Sequence, residues 1–205
     1  MTDAQSDFPY NQSWIRYAWR RWLSGYYTGA PVIDYGCGIG VNGSILKTLG
    51  VHQVIGVDLD WGCLHESCRR GLSVVRGNLL NLPPVRSAMA DIVMLIHVLE
   101  HFDDGALLLS SAADMIRPGG AIVVVTPDWS RNFVRFYDDP THRRPYTRAS
   151  LNSVLRGAGL RQRVLRQHNV GYKLGRTPLW RLFPRLCFTG DALFAIAERP
   201  TAIPS

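Results

Sequence analysis

A chain of 205 residues, 46% hydrophobic and 19% charged, has the size and balance of a single folded domain with a sizeable core and not of a disordered protein. No apolar run reaches the roughly 20 residues that a membrane-crossing helix needs, and the polar, acidic start from Met1 to Asp7 is unlike a signal or transit peptide, so the cytoplasm is the expected location. The net charge of +7 is uneven: residues 131–185 hold 13 Lys and Arg against 2 Asp and Glu, which reads either as a solvated arginine-rich surface or as a face for phosphate, nucleic acid or an acidic membrane.

Residues Trp14 to Leu23 space Trp14, Tyr17, Ala18 and Trp22 along one helical face, which predicts an amphipathic helix packed on the domain and lining part of a pocket; a membrane-surface helix is the alternative. Gly25 to Pro31 breaks the chain. Val32-Ile33-Asp34-Tyr35-Gly36-Cys37-Gly38-Ile39-Gly40 then passes from a short apolar strand carrying one acid into three alternate glycines, with a helix expected from Ser44 to Leu49. Glycines at a strand-to-helix turn admit a ligand close to the backbone, and the helix beyond offers unpaired N–H groups to negative charge. Asp34 is unusual, because a carboxylate in a buried strand is costly unless a cation or hydrogen bond meets it. Gly38, Gly40 and Gly43 satisfy the dinucleotide pattern G-x-G-x-x-G, but Gly36 already closes the strand, so the register favours D-x-G-x-G-x-G.

This stretch resembles the first motif of the class I S-adenosylmethionine (SAM) methyltransferases. The resemblance implies that the turn, through Gly36, Cys37 and Gly38, lies against the methionine part of SAM and that Asp34 receives its ammonium group. The next strand, Gln53 to Asp58, ends in an acid able to accept both ribose hydroxyls of a nucleoside, in NAD and SAM alike, with Leu59 beside it. Asp60 is expected to cap the helix from Trp61 to Arg70. After a third strand, Leu72 to Val75, comes Gly77-Asn78-Leu79-Leu80-Asn81-Leu82-Pro83. The family usually has G-D-x-x-x-L-P here. Asn78 departs from it, though its side-chain carbonyl can still accept from the adenine amino group, with Leu79 against the ring. An Asx turn is the plainer alternative.

Asp91 to Ile96 is a fourth apolar strand, and His97-Val98-Leu99-Glu100-His101-Phe102 follows at its C-terminal end, where open α/β sheets bind ligands. The string V-L-E-H is similar to small-molecule methyltransferases, and His97 joins the expected cofactor contacts. The chain lacks the [D/N/S]-P-P-[Y/F] stretch by which amino-methyltransferases of DNA resemble one another, so nucleic acid is not the expected partner. A helix from Ala106 to Ile116, capped by Asp103 or Asp104 and stopped by Pro118-Gly119-Gly120, leads to a fifth strand, Ala121 to Thr126.

From Asp128 to Tyr146 the chain is aromatic and arginine-rich, and its Thr-His-x-x-Pro-Tyr-Thr string resembles methyltransferases of glycan and natural-product gene clusters, where the segment covers the acceptor. His142 and His101 are the candidate bases, the imidazole pKa lying near working pH. Tyr137, Arg143 and Arg144 are the candidate acceptor contacts, the guanidinium forks suiting phosphate or carboxylate. A helix follows from Thr147 to Gly157, then strands at Leu160 to Gln167 and Ala192 to Glu198. Between these, residues 176–188 mix apolar side chains with arginines and suit either a buried loop or a peripheral membrane contact. Cys37, Cys63, Cys68 and Cys187 show no paired spacing, and no metal site is expected.

The expected fold is a doubly wound, mostly parallel seven-stranded sheet with helices on both faces, in one domain over 1–205: a helical cover (1–30), a SAM-binding core (31–127) and an acceptor-side segment (128–205). The expected activity is methyl transfer from SAM to a small molecule, at a hydroxyl of a sugar, glycan intermediate or secondary metabolite that carries an anionic group. Transfer to nitrogen or carbon, an NAD-dependent oxidoreductase, and a basic SAM- or nucleoside-binding protein without turnover are the alternatives.

Overall fold

The structure, a computed structural model, describes residues 13–78, 87–168 and 191–201. The alternating apolar and helical segments form one seven-stranded sheet in the order β3-β2-β1-β4-β5-β7-β6. Strands β1 (Val32–Tyr35), β2 (Val54–Asp58), β3 (Ser73–Arg76), β4 (Ala90–Ile96) and β5 (Ile116–Pro127) pair in parallel. Strand β7 (Ala192–Glu198) runs antiparallel to both of its neighbours, β5 and β6 (Arg161–His168). The mostly parallel, doubly wound sheet expected from the alternation is therefore present, with one reversed strand inserted near its edge.

Both faces of the sheet are covered, and successive residues of β4 show why its sequence is apolar at every position but Asp91. Ala90, Val93 and Leu95 belong to one core with Leu108 and Leu109 of α4 (Gly105–Met115) and Leu151 and Leu155 of α5 (Arg148–Gly157). Ile92, Met94 and Ile96 belong to the other, with Trp14 and Ile15 of α1 (Ser13–Ala18) and Ile45 and Leu46 of α2 (Val41–Thr48). A strand buried on both sides admits a polar residue only where that residue is fully partnered, as Asp91 is at its start. Truncating one of these leucines or isoleucines to alanine costs about 2–5 kcal/mol.

Two elements differ from expectation. The first helix does not run as a single α-helix: after Ala18 it widens into a π-helical turn, Trp19–Leu23, closed by the Ser24 N–H donating to the Trp19 carbonyl at 2.9 Å. The wider turn lets Trp19 and Leu23 bury together, while Trp14 and Trp22 pack on Phe194 of β7. Pro118-Gly119-Gly120 does not separate a helix from a strand. Helix α4 ends at Met115, Ile116 already pairs with Ala90, and the register shift before Ile92 absorbs the Pro-Gly-Gly as an irregularity within β5. Proline is tolerated at such a bulge because it removes no regular ladder bond.

The cover is pinned at the opposite end of the sheet from the glycine turn. The buried Asp91 carboxylate accepts the Thr28 N–H at 2.6 Å, the Thr28 hydroxyl at 2.9 Å, the Ala30 N–H at 3.0 Å and the Arg117 guanidinium. Burial works to raise this carboxyl, but the Thr28 and Arg117 donors outweigh it and hold it below the usual carboxylate value. No described helix is long and apolar enough to cross a membrane, and residues 176–188 lie outside the described residues.

Candidate active site

The chain leaves β1 for β2 and β3 on one side, then returns to β4 on the other, so the strand order reverses between β1 and β4. Ligands of open α/β sheets bind in the crevice at the carboxyl ends of the strands flanking such a reversal. The ends of β1, β2 and β4, together with the segment just past β3, bring Asp34, Gly36, Cys37, Gly38, Asp58, Leu59, Asn78 and His97 there.

The glycine turn is held from below and open above. The Gly36 and Cys37 N–H groups both donate to the Val57 carbonyl, at 2.8 and 3.0 Å, and the Ser67 hydroxyl of α3 (Trp61–Arg69) donates to the Gly38 carbonyl at 3.2 Å. At Gly36 (φ 84°) a Cβ would stand 2.5 Å from Val98 Cγ2, so the turn can pass under the β4 loop only as glycine. At Gly38 (φ 51°) a Cβ would meet nothing within 4 Å. Close approach from outside is possible at Gly38. Asp58 joins the turn to β2: Oδ2 accepts the Gly38 N–H at 2.8 Å and Oδ1 accepts the Asp60 N–H at 3.0 Å. A carboxylate offers about four acceptor positions, so lone pairs remain for a ribose.

Asp34 lies beneath the turn, only 1% exposed. Its carboxyl accepts the Gly43 N–H, and Oδ2 has no partner among the described residues. Burial, reinforced by the Asp58 charge and only partly countered by the Gly43 bond, pushes it to about 7. Burial, then the Asp34 charge, push the Cys37 thiol up to about 12, so this cysteine is a neutral packing group and no nucleophile. Leu59 is 52% exposed beside Asp58, and Asn78 is exposed just past β3; Leu79 lies outside the described residues. An open glycine, an unserved buried carboxyl oxygen and a carboxylate with spare acceptor positions fit a cationic amino acid joined to a nucleoside.

His97 takes a left-handed backbone (φ 54°), which for a non-glycine residue costs about 1 kcal/mol or more and persists only where neighbours enforce it. The enforcement is visible: its N–H donates to the Val125 carbonyl at 2.8 Å and its Nδ1 lies 3.1 Å from Glu100 Oε1. Glu100 is fully buried and Oε2 accepts the Thr126 hydroxyl at 3.0 Å, while its carbonyl accepts the N–H groups of Arg143 and Arg144 at 2.8 and 3.0 Å. Burial works to raise this carboxyl, but the His97 bond and charge outweigh it and hold it low. Sequence reasoning did not single out Glu100; its available signal was an acid three residues after a histidine at a strand end.

His101 and His142 meet, with ring centroids 4.9 Å apart. Arg143 and Arg144 do not join them with their guanidinium groups: the first donates to the Asp103 carboxylate and the second to the Asp103 carbonyl, both at 2.9 Å. Tyr137 stands with Trp129 and Phe136, and Phe136 in turn packs on His142 at 4.7 Å between centroids. The segment thus carries an aromatic rim whose outer members, Phe133, Val134 and Tyr137, are exposed.

Sheet order, glycine turn and strand-end acids together define a Rossmann-like nucleoside-binding fold of the class I methyltransferase type. Over residues 12–164 the chain matches the methyltransferase domain family, and it belongs to that family, whose cofactor is SAM. It is 32% identical over 139 residues to a protein of Mycolicibacterium smegmatis named as a probable SAM-dependent methyltransferase, covering 64% of this chain and 52% of that one. A ubiquinone biosynthesis O-methyltransferase of Cupriavidus pinatubonensis is 29% identical over 118 residues, 55% of this chain and 47% of its own length. The crystal structure of a SAM-dependent methyltransferase from Archaeoglobus fulgidus has the same fold, with a TM-score of 0.69 at 22% identity over 91% of this chain and 94% of that one. The chain spans about half the length of the curated relatives it matches.

Proposed function

We propose that the protein transfers a methyl group from SAM to a hydroxyl of a small molecule with an apolar body and an anionic group. The observation that carries this reading is the open turn at Gly38, flanked by the Asp34 oxygen without a partner and by Asp58. When bound, SAM supplies an electrophilic methyl whose S–C bond electrons stay on sulfur, leaving S-adenosylhomocysteine. Asp34 answers the ammonium, Asp58 the ribose, and Asn78 with Leu79 the adenine. Methyl transfer needs alignment more than chemical assistance, and the acceptor side supplies alignment with a rim of Phe133, Val134 and Tyr137 and with Arg143 and Arg144 beside it. The acceptor oxygen forms the new O–C bond, and its proton is drawn off at the His101–His142 pair. The relative named for ubiquinone biosynthesis methylates oxygen, which is in keeping with this choice.

Calorimetric titration with SAM, S-adenosylhomocysteine and NAD tests the reading. Saturable binding of the first two, lost in Asp58→Ala, is the expected result, followed by methylation of a hydroxylated acceptor. Binding of NAD alone overturns it, and SAM binding without transfer to any acceptor class reduces the protein to a binding module.

A further inference from the structure

Glu100 and His101 leave β4 in one 3-10 turn and His142 arrives on a loop far along the chain, yet one donor atom from each lies within 4.8 Å of the other two. The hydrogen bonds around them decide which donors are bare. His142 Nδ1 is 2.7 Å from the Phe136 carbonyl, which only accepts, so Nδ1 carries the proton; Nε2 keeps its lone pair, with Asp139 Oδ2 3.8 Å from it. His101 Nδ1 is 2.9 Å from the Thr141 hydroxyl oxygen. That hydroxyl donates its own hydrogen to Asp139, so it accepts from His101, and again Nε2 is left bare. Glu100 is steadied by His97 at one oxygen and Thr126 at the other, with a further lone pair on each. Imidazoles that give their second N–H to a carbonyl or hydroxyl, and a carboxylate that is itself hydrogen-bonded, form the outer shell that orients ligands around a metal.

We infer that Glu100, His101 and His142 bind one divalent transition-metal ion of the kind that imidazole favours, such as Zn2+ or Ni2+. Two imidazoles and one carboxylate make a donor set suited to such ions, whereas Ca2+ and Mg2+ prefer all-oxygen cages. Cis donors about 2.1 Å from a metal stand roughly 3.0–3.4 Å apart, so the three need draw in by no more than about 1.5 Å. Both rings are half-buried, one on a 3-10 turn and one on a loop, and metal binding requires them to close that distance. Three protein donors leave coordination positions open. Phe136 joins His142 to the aromatic rim of the acceptor side, so with the ion in place an acceptor hydroxyl coordinated there would release its proton to water, and the histidine pair would serve as ligands and not as the base. This purpose rests on the methyltransferase reading; the site itself does not.

The test uses the full chain stripped of metal, titrated with Zn2+ against a chromophoric competitor, with bound metal counted by elemental analysis after dialysis. One ion per chain is expected, with affinity falling 100-fold or more in His101→Gln and in His142→Gln and unchanged in His52→Gln, an exposed histidine elsewhere. Visible absorption of the Co2+-loaded parent reports imidazole coordination without any variant. No stoichiometric ion in the parent, or equal affinity in the His101→Gln/His142→Gln double variant, overturns the inference. SAM binding measured on the same samples separates the two readings. If SAM binds and metal does not, the inference falls and the histidine pair acts as bare imidazole. If metal binds and SAM does not, the metal site stands and the methyltransferase reading falls.

Discussion

Asp58 accepts the N–H of Gly38 at 2.8 Å, so the residue positioned for a ribose also fixes the turn positioned for the amino-acid end of the same ligand. Replacing one oxygen by an NH2 group in Asp58→Asn sets a donor against a backbone donor, the N–H of either Gly38 or Asp60. The expected cost is about 1–3 kcal/mol in stability. A loss of SAM affinity of tenfold or more should accompany it, read by calorimetry and urea unfolding on the same preparation.

Gly36 and Gly38 should respond differently to alanine. At Gly36 the added methyl runs into Val98, so Gly36→Ala should lower the melting temperature by several degrees even without ligand. At Gly38 it meets only open space, and the backbone strain costs about 1 kcal/mol. Gly38→Ala should therefore fold and lose SAM affinity out of proportion to its stability loss. Equal effects on both properties at both positions would contradict the open face at Gly38.

Stability should fall as pH rises through the weakly acidic range. The Asp34 carboxyl, ordinarily near 3.8, is pushed by burial to about 7. Between those values the folded protein holds a proton that the unfolded chain has released, so unfolding becomes easier with rising pH and levels off above about 7. Full burial of the charge corresponds to about 4 kcal/mol as an upper figure. Asp34→Asn should abolish this slope while remaining folded at pH 8. By the same sign, a cation bound beside Asp34 expels its proton, so SAM affinity should rise with pH across the same window. Urea unfolding and SAM titration at pH 5, 6, 7 and 8 measure both.

Glu100→Ala should be among the more damaging single changes. It strands the His97 Nδ1 and the Thr126 hydroxyl and opens a cavity beneath the loop that carries Arg143 and Arg144. Breaking a buried pair on one side costs about 3–5 kcal/mol. Chemical denaturation gives the value, and a cost under 1 kcal/mol would mean that the dyad does not hold the strand end.

The parts of the site legible in the sequence are those that are local. Asp34, Gly36 and Gly38 sit in one strand-turn-helix, and Asp58 announces itself as an acid closing an apolar strand. The central strands β1, β2, β4 and β5 are legible for the same reason, since two-sided burial leaves long apolar runs, whereas β3 and β6 at the sheet edges are polar and partly exposed. Glu100 was not, because its partners are scattered: Thr126 lies on β5 and the two N–H groups on its carbonyl come from Arg143 and Arg144. The meeting of His101 with His142 depends on the path of the loop, which no periodicity records. Pro118-Gly119-Gly120 is punctuation that reads equally as a stop or as a bulge, and only the pairing of Ile116 with Ala90 decides. The reversed direction of β7 is likewise a property of its neighbours, because an apolar strand looks the same from either end.

That reversed strand sets an order of events during synthesis. β7 emerges from the ribosome after every other described strand, yet it occupies the place between β5 and β6. Until Ala192–Glu198 is available, the edge of β5 from Ala121 to Pro127 has no partner on that side, and Trp14 and Trp22 lack the Phe194 ring they pack on. At translation rates of about 5–20 residues per second, the interval between completing β5 and starting β7 lasts roughly 3–13 s. For those seconds the nascent chain carries an apolar, hydrogen-bond-hungry edge of the kind that captures other chains. Its successful folding in a cell therefore depends on how crowded with like chains, and how well attended by chaperones, the exit of the tunnel is.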